Sequence, residues 1–130
     1  MKYLIAVVLV LFGFGAFSAA SAQTGQEISV KVNRTVSAKG GLRVNFVEMV
    51  EDSRCPEDAN CIWAGNAKIR VRVTKNGRSK LLELNSGLEP RTETFAGYSF
   101  QLQALTPAPR SNIRINRNGY VAKILVKKVN

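Results

Sequence analysis

The stretch KIRVRVTKNGRSKLLEL, residues 68–84, decides the fold class of this chain. From residue 68 to residue 73, basic and apolar side chains alternate, which is the period of two typical of a β-strand with one buried face. Asn76-Gly77 follows, and because both residues tolerate positive φ, the pair predicts a type I′ turn. Apolar residues within 81–84 then supply the return strand, so the stretch predicts a β-hairpin.

The same alternation recurs along the chain, and no segment shows the period of an amphipathic helix. The pattern slips at Phe46–Glu48, which predicts a β-bulge. A second Asn-Gly pair, Asn118-Gly119, predicts another turn. About seven or eight short strands separated by turns are typical of an all-β domain, a small antiparallel sandwich or barrel. Beside the hairpin, we expect strands at 27–34, 42–46, 92–95, 98–103, 113–115 and 120–126.

The first 22 residues have the order of a secretory signal peptide. Met1-Lys2 carries the only charge, an apolar run follows, and Ala20-Ser21-Ala22 offers small residues for cleavage before Gln23. We therefore expect a signal peptide at 1–22, a single β domain at 23–130, and a periplasmic or extracellular location. The remaining 108 residues contain no second long apolar run, so we expect no transmembrane segment in the mature chain.

The two cysteines, Cys55 and Cys61, are expected to form a disulfide in the oxidising compartment to which a signal peptide leads. A structural zinc site needs four soft ligands, and the chain has no histidine. Calcium needs six to eight oxygens in a defined order, which the nearby polar residues do not provide. We therefore predict no metal and no cofactor. The oxygen donors considered are Asp52, Glu57, Asp58 and Asn60.

Catalytic groups are scarce, so we predict that the protein is not an enzyme and has no catalytic residues. Without histidine, the usual general base at neutral pH is missing. The sequence has neither a nucleophile elbow nor a glycine-rich phosphate loop. The remaining enzymatic alternative is a hydrolase that uses paired carboxylates. Its candidate residues are Glu48, Glu51, Asp52, Glu57 and Asp58.

The segment from Asp52 to Asn66 predicts a rigid recognition loop. It contains both cysteines, Pro56 and the only tryptophan, and a disulfide-closed loop binds a partner without a large ordering cost. Tryptophan and arginine are also residues that anchor interfaces. The alternative is a structural cap on the sheet, with Trp63 packed over the disulfide as in the core of other small sandwiches. Arg54 is expected to pair with Asp52 or with loop carbonyls. The candidate binding residues are Asp52, Arg54, Pro56, Trp63 and Asn66.

The paired motif Asp52-Ser-Arg-Cys-Pro56 and Cys61-Ile-Trp-Ala-Gly65 resembles a signature of small exported bacterial proteins and lipoproteins. The resemblance covers about 15 of the 108 residues of the mature chain. It implies a bacterial exported domain, and it brings no activity or substrate with it. The lipoproteins of that group carry a cysteine at the cleavage site, whereas this chain has none there, so the resemblance implies a form without a lipid anchor.

Positive charge is the other prominent feature. Without Lys2 of the leader, 18 basic and 9 acidic residues give a net charge of +9. Such a charge favours an anionic glycan, lipopolysaccharide or an acidic protein as partner, although it also serves solubility. Nucleic acid is disfavoured, because Phe46, Tyr98 and Phe100 are expected in the core and not on the surface for stacking. The candidate basic face consists of Lys68, Arg70 and Arg72, extended by Lys123 and Lys127 if the last strand lies nearby.

These observations favour a non-catalytic binding domain that uses the disulfide loop, a basic sheet face, or both. The alternative is a structural or accessory domain of an envelope complex, and a carboxylate hydrolase is the third reading. Basic side chains on exposed strands also protect against edge-to-edge pairing, so the charge alone does not decide between these functions.

Overall fold

A computed structural model describes Gly13, Gly15 and residues 25–129 of the chain. The predicted signal peptide, apart from those two glycines, and its cleavage site lie outside the described residues. The all-β prediction is confirmed, since the described part contains eight strands, one short 3-10 helix and no α-helix. The strands are β1 (Gln26–Lys31), β2 (Thr35–Ala38), β3 (Leu42–Asp52), β4 (Ala67–Lys75), β5 (Arg78–Asn85), β6 (Thr92–Phe95), β7 (Tyr98–Thr106) and β8 (Val121–Lys128).

The strands form two antiparallel sheets of four, in the orders β1-β8-β7-β6 and β2-β3-β4-β5. The chain changes sheets between β1 and β2, where Asn33 takes a φ of 65°. At this corner Val32 forms a parallel bridge to Phe46, so the end of β1 touches the middle of β3. The architecture is a small sandwich whose two sheets are joined at one corner.

A single cluster of apolar side chains fills the space between the sheets. The inward positions come from the alternating residues of β1, β3, β4, β5, β7 and β8, as the period of two requires. Phe46 of β3 and Phe100 of β7 are the largest fully buried side chains, one from each sheet. Removal of this surface from water is the main favourable contribution to folding.

Two turn predictions had different outcomes. The hairpin between β4 and β5 is confirmed, with positive φ at both Asn76 and Gly77. The Asn118-Gly119 turn does not close a hairpin and lies in the 3-10 helix Arg117–Gly119, because the Asn116 side chain accepts a hydrogen bond from the Asn118 amide. Instead of a strand at 113–115, the connection makes only one isolated bridge, between Arg110 and Ile113.

The alternation along β3 breaks twice, once more than predicted. Register shifts occur between Phe46 and Glu48 and again between Met49 and Glu51. The first is the predicted irregularity. The predicted first strand at 27–34 was too long, because Val32 and Asn33 leave β1 to change sheets, and β2 was not foreseen.

The pairing register gives the sandwich two distinct ends. The hairpin end holds the β2–β3, β4–β5 and β6–β7 turns, together with the start of β1 and the end of β8. The disulfide end holds the β3–β4 loop at 53–66, the β5–β6 connection at 86–91 and the β7–β8 connection at 107–120. At 3.3–3.4 Å per residue, the eleven residues of β3 separate the two ends by roughly 30 Å.

Replacement of Phe46 by alanine should lower the free energy of unfolding by about 3–5 kcal/mol, because the lost burial and the remaining cavity add. Denaturant titration of the oxidised 23–130 protein measures the loss. Ile113→Ala is the matched control, since Ile113 is exposed in the β7–β8 connection and its loss should change stability by less than about 0.5 kcal/mol. Equal effects of the two substitutions would contradict the placement of Phe46 at the centre of the core.

A candidate recognition loop at the disulfide end

The two arms of the β3–β4 loop remain paired beyond the strands. Ser53 N donates to Asn66 O at 2.7 Å, and Asn66 N donates to the Ser53 hydroxyl at 3.0 Å. One step further, Cys55 N donates to Ala64 O at 3.1 Å. The predicted disulfide between Cys55 and Cys61 is confirmed. The loop is therefore a continuation of the sheet that ends in a small covalent ring.

The ring is also held against the β7–β8 connection. Glu57 N donates to Pro109 O at 2.9 Å. The Asp58 carboxylate accepts hydrogen bonds from Ser111, at 2.9 Å from the amide and 3.1 Å from the hydroxyl. The Ser111 amide is the main cause that lowers the pKa of Asp58 below its ordinary value. Two connections that are distant in sequence thus restrain each other at this end.

Arg54 joins the two sheets. Its Nε and Nη2 donate to the two carboxylate oxygens of Asp52 at 2.8 and 2.9 Å. Its Nη1 donates to Leu105 O at 2.6 Å and its Nη2 also donates to Pro107 O at 3.0 Å, at the end of β7. Arg54 was expected to pair with Asp52 or with loop carbonyls. It pairs with Asp52 and with carbonyls of the other sheet.

Asp52 is the acceptor at the centre of this network. The Tyr120 hydroxyl donates to the second carboxylate oxygen of Asp52 at 3.0 Å. Burial opposes ionisation of Asp52, but the hydrogen bonds and charge of Arg54 and the Tyr120 bond outweigh it and lower the pKa of the carboxyl. Burial, followed by the bond to Asp52, raises the pKa of Tyr120. The Arg54 and Asp52 side chains are only 15% and 16% exposed, so this pair holds the loop and offers little surface to a partner.

Gly65 allows the two arms to approach closely. Its φ is 72°, in the left-handed region that side chains rarely adopt. A Cβ at this position would overlap the carbonyl oxygen of Ser53 on the opposite arm. The tight entry into β4 therefore needs glycine at position 65 for two separate reasons.

Asn66 is a structural residue and does not belong to the binding surface for which it was proposed. It is 2% exposed. Its amide nitrogen donates to Asn85 Oδ1 at 3.1 Å, and its amide oxygen accepts from Gly87 N at 2.9 Å and Leu88 N at 3.2 Å. Its side-chain amide thus holds the end of β5 and the β5–β6 connection beside the loop, and its backbone is paired with Ser53.

Apolar side chains are exposed on the arm that returns to β4. Ile62 is 95% exposed and Trp63 is 72% exposed. With the adjacent Ala64 and Gly65, and with Leu88 of the β5–β6 connection, Trp63 lines a groove of about 420 Å³. Leu88 is itself 56% exposed. The alternative in which Trp63 is a core residue is therefore wrong, whereas Pro56 lies half-buried in the ring.

The proposed basic face is divided between the two sheets. Lys68, Arg70 and Arg72 lie on the outer side of β4. Arg70 forms ion pairs with carboxylates of both neighbouring strands, Glu48 and Glu83.

Lys123 and Lys127 lie on β8, in the opposite sheet. Lys123 pairs with Glu27 at 3.1 Å, which further reduces the free charge on that side. The expectation that β8 extends the face of β4 is thus not met, because β8 pairs with β1 and β7.

Sequence reasoning missed Ile62, Leu88 and Tyr120 as parts of this end. Ile62 had a readable signal, since two adjacent bulky residues on a short arm cannot both point into the core. Leu88 and Tyr120 had none, because each is more than 20 residues from its contact in the loop and only the strand order brings them there.

No protein-family model, curated protein or solved structure matches this chain. Among residues 25–129, no group of three histidine, cysteine or acidic side chains is placed to hold a metal ion. No helix in the described part of the chain is long and apolar enough to cross a membrane.

Asp52→Asn should destabilise the protein by about 1–3 kcal/mol at neutral pH, because it weakens the acceptor of Arg54 and Tyr120. The folded pKa of Asp52 is depressed, so its ionic contribution is present above the unfolded value of about 4 and is lost as the pH falls through the lower folded value. The difference between wild type and variant should therefore narrow below about pH 4.

Denaturant titrations at several pH values measure this difference, with Glu51→Gln, an exposed carboxylate one residue away, as the control. If the difference in free energy of unfolding between wild type and Asp52→Asn stayed constant as the pH fell below about 4, the role of the Asp52 charge would be contradicted.

Gly65→Ala should cost more than about 3 kcal/mol, since the new Cβ meets a backbone carbonyl and the two arms must separate. Gly41→Ala is the matched control, with a φ of 74° but open space around its Cβ. It should cost only about 1 kcal/mol, the penalty of the left-handed conformation. Similar losses in thermal or denaturant unfolding would show that close approach of the arms is not required.

Proposed function

We propose that the protein is a non-catalytic binding domain of the bacterial envelope or exterior, and that it binds a protein partner through Ile62 and Trp63. The observation that carries the proposal is the exposure of these two adjacent apolar side chains, 95% and 72%, on a loop that is otherwise fixed. A soluble domain has no folding reason to expose both, and exposed apolar clusters mark interaction sites.

Rigidity of the loop supports this function. The arms are paired from Ser53 to Cys55, and the ring is closed by the disulfide. Arg54 and Asp58 fix the loop to the end of β7 and to the β7–β8 connection. Because the loop is ordered before it meets a partner, binding does not have to supply the free energy of ordering it. Tryptophan is the residue type most often found at the energetic centre of such interfaces.

The surroundings of the loop indicate the chemistry of the partner. The groove beside Trp63 and Leu88 is suited to an apolar side chain of the partner. The flanking connections carry four arginines, Arg91, Arg110, Arg114 and Arg117. The three carboxylates of the loop and these connections are engaged within the chain, since Glu57 pairs with Arg110, Asp58 accepts from Ser111 and Glu89 accepts from the Arg91 amide. We therefore expect an apolar recess with an acidic rim on the partner, as charge complementarity favours correct encounter.

A carboxylate hydrolase has less support. Glu48 pairs with Arg70, and Asp52 is held by Arg54 and Tyr120. Glu57 pairs with Arg110 and Asp58 accepts from Ser111. Of the five candidate carboxylates, only Glu51 has no such contact within the described residues, whereas a hydrolase needs two that face a substrate about 5–10 Å apart.

An accessory domain of an envelope complex is the second candidate, and the same exposed pair favours it. A permanent subunit contact buries a larger and more apolar area than a transient one. The two functions therefore differ in the lifetime of the complex and not in the surface that is used.

To test the proposal, a photo-crosslinking amino acid replaces Trp63 in one variant and Leu81 in another, and each is exposed to an envelope extract of the producing bacterium. Leu81 is the control because it is 51% exposed on the outer side of β5, away from the loop. We expect a protein that crosslinks at position 63 and not at position 81. Size-exclusion chromatography without crosslinking then separates a permanent subunit from a transient partner.

With that partner purified, Trp63→Ala should weaken binding by about 30-fold or more, the effect of an interface anchor. Leu81→Ala should leave the affinity unchanged. Circular dichroism should show both variants folded, since neither side chain belongs to the core. A partner that crosslinks equally at both positions, or an affinity that Trp63→Ala does not alter, would refute the function proposed for the loop.

A further inference from the structure

The hairpin end concentrates positive charge without any acidic residue. Its segments are 25–26, 38–43, 74–80, 95–99 and 127–129, and the sequence places no aspartate or glutamate in them. The predicted mature chain has a net charge of +9, and seven of its cations lie here. They are Lys39, Arg43, Lys75, Arg78, Lys80, Lys127 and Lys128.

These cations come from both sheets. Five belong to the sheet of β2 to β5, and Lys127 and Lys128 belong to the end of β8 in the other sheet. Three of them, Lys39, Lys75 and Lys128, lie around Tyr98. The Lys75 ammonium lies 4.8 Å from the centre of the Tyr98 ring, a cation–π contact that fixes its position. Lys39 N donates to the Gln26 side chain at 2.7 Å, which ties the β2–β3 turn to the start of β1.

Two grooves open between the cations. One, of about 490 Å³, is lined by residues that include Lys75, Arg78 and Phe95. The other, of about 200 Å³, is lined by residues that include Lys39, Tyr98 and Lys128. Each groove is thus lined by two cations and one aromatic side chain.

The cations at this end have no carboxylate partner among the described residues. Within residues 25–129, none of the seven forms an ion pair, whereas Arg70 and Lys123 on the faces do. Six of the seven are exposed and Lys75 is half-buried. Like charges gathered at one end of the domain repel each other, and an anion that bridges them reduces this repulsion.

We propose that the hairpin end binds an anionic polysaccharide that carries sulfate or phosphate groups. Five of the seven cations are lysines, whose compact charge suits such groups without the fixed two-bond geometry of an arginine–carboxylate pair. Phe95 and Tyr98 pack against the core, so they do not offer free faces for stacking nucleic-acid bases. The grooves and the spread of cations over two sheets fit a chain with several anionic groups.

This site is separate from the recognition loop, since roughly 30 Å of β3 lies between them. One domain can therefore hold a protein at the disulfide end and a polysaccharide at the hairpin end. The two proposals succeed or fail independently, and Trp63→Ala should leave polysaccharide binding unchanged.

The test compares two triple variants of equal net charge. Lys39→Gln, Arg78→Gln and Lys128→Gln together remove charge from the hairpin end. Lys31→Gln, Lys68→Gln and Arg72→Gln together remove the same charge from the outer faces of the sheets. Binding of the oxidised 23–130 protein to heparin, a sulfated polysaccharide, is measured over a range of sodium chloride concentrations. Circular dichroism confirms that both variants fold.

We expect the hairpin-end variant to bind heparin at least about tenfold more weakly. The slope of log Kd against log salt concentration should fall by about two to three, because the variant makes three fewer ionic contacts and its binding therefore releases fewer counterions. The matched variant should lose less than about threefold. Equal losses in the two variants would overturn the site. Binding of polyglutamate as tight as that of heparin, at the same charge concentration, would overturn the assignment to a sulfated or phosphorylated polysaccharide.

Discussion

The guanidinium group of Arg54 is the contact on which the disulfide end depends. It is held by Asp52 at the end of β3 and, across the sandwich, by the carbonyls of Leu105 in β7 and Pro107 just after it. Its flat array of donors satisfies four acceptor positions at once, which an ammonium group cannot do in a fixed direction. Such a partly buried pair adds little net stability relative to apolar packing, but removal of one partner leaves the other without its counter-charge. The position of the two sheets relative to each other is therefore specified here by polar contacts.

The contacts that restrain the β3–β4 loop also keep Ile62 and Trp63 exposed. Once Arg54, Asp58 and Asn66 have bound the loop to both neighbouring connections, the arm that carries Ile62 and Trp63 cannot fold over to hide them. Their exposure is thus maintained by the polar network and is not a result of a loose loop.

The positive charge of the domain is also distributed unevenly by contacts within the chain. Ion pairs such as Arg70 with Glu48 and Glu83 neutralise the middle of a sheet face, and free positive charge remains at the turns of the hairpin end.

Local patterns in the sequence predicted most of the strands and the disulfide, because both depend on residues that are close along the chain, although β2 was missed and no strand forms at 113–115. The period of two in β4 and the Asn76-Gly77 turn are examples. The predictions of site residues that failed depended on which strands and connections are neighbours in the folded domain. Lys123 and Lys127 were expected to extend the basic face of β4 if the last strand lay nearby, but β8 pairs with β1 and β7 in the other sheet. Asn66 was assigned to the binding surface because it is a polar residue in the loop. The sequence did not indicate that Gly87 and Leu88 would lie beside it and donate hydrogen bonds to its side chain. The Asn118-Gly119 pair shows a further limit, since a competing bond from Asn116 decides the conformation.

The disulfide itself has a narrower role than its place in the motif suggests. A ring closed by residues only six apart restricts the unfolded chain by about 2–2.5 kcal/mol in the chain-entropy model, less than the loss of one buried aromatic side chain. The loop is moreover held by Arg54, by the Glu57–Pro109 hydrogen bond and by Asp58, none of which passes through the sulfurs. The sandwich therefore does not need the disulfide to align its sheets. The disulfide acts at the tip of the β3–β4 loop. Its short ring fixes the direction in which the chain leaves Cys61, and therefore the side of the loop on which Ile62 and Trp63 are exposed.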